Sequence, residues 1–371
     1  MVVDPGFGYV FPAIRGVQAS REYYVCMVPL RLIPRIFSFD EEELPPELRA
    51  QRLLNKARIP ELKSYILENP TTYVFSSLTV SVDARVRFES LDGSKEAFSV
   101  GRLYVPMDAR FIINDGQHRR AGIEAAMRER SELGDETISV VFFLDLGLER
   151  CQQMFADLNR HAIRPSTSLG LLYEHRDAGA MLTKRLVLEC PVFRNLVEME
   201  RTTLSPRARR LFTLSAVHSA TRALFAGRED ELGAEEALKL ASEFWEALAS
   251  ALPEWGAVLA HKATSGEVRR DFIHSHGIAL QALGRAGNAL LRRYPKNWKT
   301  RLVAFKEINW SRDNSVLWEG RVMIGGRVSK AANNILLTTN VLKRALGLDL
   351  SPEEQRAEDA FARGEHGTSG D

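Results

Sequence analysis

The chain of 371 residues is poor in cysteine, in net charge and in long apolar runs. Its three cysteines, Cys26, Cys151 and Cys190, lie far apart and form no CxxC pair. That argues against a disulfide framework or a zinc site and suits a reducing cytoplasm, with the cysteines as small buried residues. No apolar run reaches about 18 residues, so no membrane span is expected. The N-terminal MVVDPGFGYV has no basic stretch leading into an apolar core, so no signal peptide is expected. The formal net charge is only +2, so the chain is no polycation, and any nucleic-acid surface must be local. No Walker A motif is present to hold a nucleotide.

A hydrophobic content of 45% supports a sizeable core, and the length suggests two domains. Residues 1–20 are punctuated by Gly and Pro and read as irregular; Arg15 reads as a surface arginine. EYYVCMVPLRLI reads as a strand with an extended turn, as do TYVFSSLTVSV and AFSVGRLYVP as strands. The run ISVVFFLDL reads as a buried strand. Helices are expected across residues 38–69, with Pro60 opening the later one, and across 149–161. Arg49, Arg52, Lys56 and Arg58 give the first of these a basic side, read as a solvated face. After Pro165 nearly every segment up to about residue 291 has helical spacing.

The most informative stretch is RFIINDGQHRRAGIEAAMR, residues 110–128. A short apolar strand, FII, meets a turn, NDG, and then a helix carrying Ile123 and Met127. Gly116 suits the turn because it adopts positive φ without steric cost. Gln117, His118, Arg119 and Arg120 fall in the first helical turn, where N–H groups are free and the helix dipole is positive. Cations are disfavoured there by about 0.3–1 kcal/mol each. Two arginines and a histidine in that place suit an anion, and phosphate is the usual one. An ordinary strand–helix corner with a solvated basic turn is the competing reading.

Three further groups carry chemistry. Asp157, Asn159, Arg160, His161 and Arg164 cluster before Pro165, where cations also simply complement a helix C-terminus. Ser205 and Pro206 read as the start of a helix with Arg207, Arg209 and Arg210 in its first turn, facing a DNA backbone or solvent. RRYPKNWKTR, INWSRDNSVLWEG and GGRVSKAANN mix cations with Tyr294, Trp298, Trp310 and Trp318, and present Arg327, Ser329, Lys330 and Asn334. That mixture fits a nucleic-acid surface or a buried Trp cluster with a charged rim. His261, His274 and His276 lack a carboxylate partner at ligand spacing and read as packing or surface residues, not metal ligands.

The five residues Asp115–Arg119 spell DGQHR, and the chain resembles the DGQHR-domain family, the DndB proteins of DNA phosphorothioation (Dnd) systems. FPAIRGVQASREYY, ELPPELRAQRLLNKARIPEL, MFADLNRHAIRPSTSL and NSVLWEGRVMIGGRVSKAANN carry the same resemblance, which spans nearly the whole chain. It implies an α+β fold: a ParB/sulfiredoxin-like mixed α/β domain over residues 1–165, then a mainly helical domain over 166–350 and a polar tail over 351–371. It also implies a DNA-binding accessory protein that represses its own modification operon, with promoter DNA and other Dnd proteins as partners; a homo-oligomer is compatible. The phosphate or DNA contacts would come from Gly116, Gln117, His118, Arg119, Arg120, Asn159, Arg164, Arg207, Arg327 and Lys330. A second reading stays open, a Mg²⁺-dependent, ATP-hydrolysing DNA nickase. In it His118 is the general acid or base, Arg119 stabilises phosphoryl charge and Asp115 orients water or Mg²⁺. A pure scaffold is the third.

Overall fold

Alternating burial organises the first half of the chain into a sheet. The structure, a computed structural model, describes residues 8–37, 57–91, 93, 99–144, 153–154, 157–158, 166–229 and 231–364. It divides into two units, Met1–Ile163 and Arg164–Asp371. In chain order the first unit holds β1 (Gly8–Gln18), β2 (Arg21–Pro29), α1 (Ile33–Ile36), α2 (Arg58–Glu68), β3 (Leu78–Asp83) and β4 (Arg87–Ser90). There follow β5 (Ser99–Pro106), β6 (Arg110–Asp115), α3 (Gln117–Glu129) and β7 (Thr137–Leu144).

The seven strands run in the order β4-β5-β1-β2-β7-β3-β6, antiparallel throughout except for the β3–β7 pair. Residues 8–18, expected to be irregular, form β1. Phe11 and Ala13 are buried while Val10 and Ile14 are exposed, and this period of two outweighs Gly8, Pro12 and Gly16. The apolar run of β7 lies between β2 and β3 and buries Ile138, Val140 and Phe142. The rings of Phe37, Phe111 and Phe142 meet in the core beneath it. β6, which carries the DGQHR turn, lies at one edge of the sheet. Its helix α3 packs tightly on α2: a Cβ on Gly122 would come within 2.7 Å of the Leu62 Cβ.

The second unit contains α4 (Thr167–Tyr173), α5 (Ala178–Glu189), α6 (Leu214–Phe225), α7 (Ala234–Ala249), α8 (Pro253–Leu259), α9 (Ser265–Asp271) and α10 (Gly277–Arg293). After these come α11 (Trp298–Arg301), α12 (Ser315–Trp318), α13 (Ala332–Ala345) and α14 (Pro352–Ala362). Two minor two-stranded pairs, Val197–Glu198 with Phe212–Thr213 and Met323–Ile324 with Arg327–Val328, complete it. The fold is thus α+β, with a mixed sheet in one unit and a mainly helical second unit.

Aromatic residues fill the helical core, where Phe193, Phe212, Phe244, Trp245 and Trp255 pack edge to face. Trp298, Trp310 and Trp318 are also buried. The tryptophans of the late basic stretch therefore serve packing and do not offer bases a stacking surface. The stretch expected to be a polar tail is helix α14 as far as Ala362. Ser351 and Glu354 cap it reciprocally, and Pro352 occupies its first turn.

Candidate functional site

The DGQHR corner forms as its residues dictate. β6 ends at Asp115, and Gly116 turns the chain with φ of 104°. A Cβ there would meet Leu78 Cδ2 at 2.4 Å, so both the dihedral and the space demand glycine. α3 then starts at Gln117 without a side-chain cap.

The cations of the corner are largely committed to the protein. Arg119 donates from Nη1 to the Ser76 and Ser77 carbonyls at 2.6 and 2.8 Å, and from Nη2 to the Asp115 carboxylate. Arg120 donates to the Phe37 carbonyl at 3.0 Å and pairs with Glu124 at 2.8 Å. Gln117 is buried and donates to the Ile113 carbonyl at 3.2 Å. Asn114, fully buried, donates to Ser81 Oγ at 2.7 Å. His118 is half-buried; burial, then the charge of Arg58, pushes its pKa down. Asn159 and Arg164 lie outside the described residues.

The larger feature is in the helical unit. A cleft of about 1360 Å³ is lined by eight Arg and Lys side chains and one carboxylate, Glu267. The cations come from five places in the chain: Arg194; Arg207, Arg209 and Arg210; Arg269 and Arg270; Arg312; and Lys330. Arg207 and Lys330, both singled out from sequence, meet here. Arg327 is exposed in the neighbouring hairpin and does not line the cleft.

The loop carrying Arg207, Arg209 and Arg210 is not the first turn of a helix, as the Ser–Pro pair suggested. α6 starts only at Leu214, where Thr213 caps it by accepting from the Ala216 N–H. The loop is shaped instead by α9. Arg269, nine-tenths buried, donates to the carbonyls of Ser205, Pro206, Ala208 and Arg210. Ser265 Oγ donates to the Arg209 carbonyl at 2.7 Å. A Cβ on Gly266 would strike the Pro206 carbonyl at 2.5 Å. Main-chain carbonyls are thus turned toward α9. Arg207 and Arg209 are exposed and have no carboxylate partner among the described residues. Arg194, Arg269, Arg270, Arg312, Ser275 and His276 were not singled out as site residues from sequence. Each is unremarkable in its own segment, and only the tertiary fold gathers them.

Among the described residues no group of three or more His, Cys, Asp or Glu side chains could hold an ion. His274 accepts from Trp255 Nε1 at 2.9 Å and donates to Glu254 at 3.1 Å, in a fully buried packing role. Neither it nor His276 is on a helix. Among the described residues no helix is long and apolar enough to cross a membrane.

A family model described as DndB, DNA-sulfur modification-associated, matches residues 11–349, a span that includes both the DGQHR corner and the basic cleft. The chain belongs to the DndB family. This DndB-family chain is therefore involved in DNA sulfur modification. Comparison with curated proteins and with solved structures returned no match.

Proposed function

We propose that this DndB-family chain is a DNA-binding accessory protein of phosphorothioate modification that represses its own modification operon. The observation carrying the DNA part is the cleft, with eight cations and a single carboxylate in a chain of net charge +2. Charge concentrated in that way suits a phosphate backbone. The repression part is supported by the resemblance to DndB proteins. The test compares promoter duplex with random duplex at near-physiological salt. Tighter binding of promoter DNA, weakened for both duplexes by joint Arg207→Ala and Arg209→Ala, is the expected result. Equal affinity for the two duplexes overturns the regulator.

The second reading, an ATP-hydrolysing DNA nickase at DGQHR, has one observation in its favour. His118 is biased toward its neutral form, which can accept a proton near neutrality. Against it, Arg119 is held by internal acceptors, and Asp115 is paired with Arg119, so the corner does not fit a protein-held Mg²⁺. Supercoiled plasmid with Mg²⁺ and ATP separates the readings. Nicking that disappears in His118→Ala, with DNA binding retained, would establish the enzyme.

A further inference from the structure

Within the cleft, one buried side chain has a polar group that the described residues leave unused. Ser275 is 4% exposed, and its Oγ has no hydrogen-bond partner among the described residues. Buried hydroxyls normally find a partner, and leaving one unpaired is costly. Ser275 lines the cleft two residues before α10.

The start of α10 is also uncapped. His276 holds the N-cap position in extended backbone, and its side chain makes no cap hydrogen bond. The ring is turned elsewhere, with Nε2 donating to the Arg269 carbonyl at 2.9 Å. No acidic residue lies in the first turn. The first residue of this helix of 17 residues, Gly277, lines the cleft beside His276, so its N–H and the positive end of the dipole lie at the cleft wall. Lys330 approaches the same point. A Cβ built on Gly277 would lie 3.9 Å from Lys330 Nζ and 3.3 Å from the Ala216 Cβ. The Lys330 ammonium group thus stands within ordinary contact distance of the helix start, and the tight approach there is to Ala216. Lys330 is exposed and has no carboxylate partner among the described residues.

A hydroxyl, an ammonium group and a helix N-terminus are all donors, and a tetrahedral oxyanion is what can accept from all three. We infer that Ser275, Lys330 and the N-terminus of α10 form a phosphate-binding subsite of the cleft, which takes one phosphodiester of a bound DNA strand. The choice of DNA as the source of that phosphate rests on the function proposed above; the donor geometry does not.

The test uses the full chain as wild type, Ser275→Ala, Lys330→Gln and the double variant, with labelled promoter duplex, inorganic phosphate and ATP as separate probes. Each single variant is expected to weaken duplex binding about tenfold, since each removes a hydrogen bond to a charged group. The double variant should lose less than the product of the two, because both groups hold one phosphate. Ser275→Ala should leave the unfolding midpoint unchanged or raised, which a structural hydroxyl would not do. Duplex binding unchanged in both single variants, but weakened by Arg207→Ala with Arg209→Ala, overturns the subsite and leaves the DNA reading standing. If wild type binds no duplex, yet phosphate or ATP raises its midpoint in a Ser275-dependent way, the subsite stands with a free phosphate as its ligand and the DNA reading falls. No response to any probe removes both.

Discussion

Arg119 shows why a motif and its use are different things. Its guanidinium joins the Ser76–Ser77 segment to Asp115, so it stitches β6 and α3 to the stretch just before β3, 43 residues earlier. Arg120 does the same for the carbonyl of Phe37, 83 residues earlier. The sequence places two arginines where a helix start favours an anion, but those distant carbonyl acceptors carry no local signal. Arg119→Ala should therefore destabilise the first unit by about 2–3 kcal/mol, through unmet carbonyls and an unpaired Asp115. Urea unfolding of the sheet unit measures this. A midpoint equal to wild type would free Arg119 for a ligand. Loss of an activity in Arg119→Ala is consequently ambiguous, and His118→Ala is the cleaner probe of chemistry.

The same limit holds for whole elements. β5, β7 with its continuous apolar run, and the strand–turn–helix at DGQHR are legible, because local pattern and tertiary burial agree there. β1 was hidden by its Pro and Gly, and the start of α6 was displaced by a Ser–Pro pair that Arg269 holds as a loop. α14 was hidden by its polarity. It is fixed not by an apolar stripe but by Glu358, 5% exposed, which accepts from Arg321 at 2.6 and 2.8 Å and from Asn340 at 3.1 Å. Glu358→Gln should cost about 3 kcal/mol near neutral pH, since it strands the charge of Arg321. Burial alone would raise the Glu358 pKa; the hydrogen bonds and charge of Arg321 outweigh it and hold the carboxyl below its ordinary value. A depressed carboxylate contributes stability above its unfolded pKa and loses it as pH falls through the folded value. The gap between wild type and Glu358→Gln should therefore be constant above about pH 4.5 and shrink below it, as followed by urea midpoints. A gap independent of pH would mean that Glu358 is not ionised in the folded protein.

At the scale of the molecule, 50 cations and 48 carboxylates leave almost no net field, so the DNA binding proposed above requires charge that is unevenly placed. The cleft supplies that unevenness, but not all of its cations are available. Arg269 and Arg210 are bound to main-chain carbonyls, and Arg270 is paired with Asp271. Arg194, Arg207, Arg209 and Lys330 are exposed and lack a carboxylate partner among the described residues. If these four meet phosphates, the logarithm of duplex affinity should fall with the logarithm of salt with a slope of about −4. Joint Arg207→Ala and Arg209→Ala should bring the slope to about −2, while a change of Arg327, outside the cleft, should leave it near −4. Fluorescence anisotropy across a salt series reads each slope directly. A slope unmoved by the cleft variants would place the DNA-binding surface elsewhere on the chain and leave the cleft as a basic structural feature.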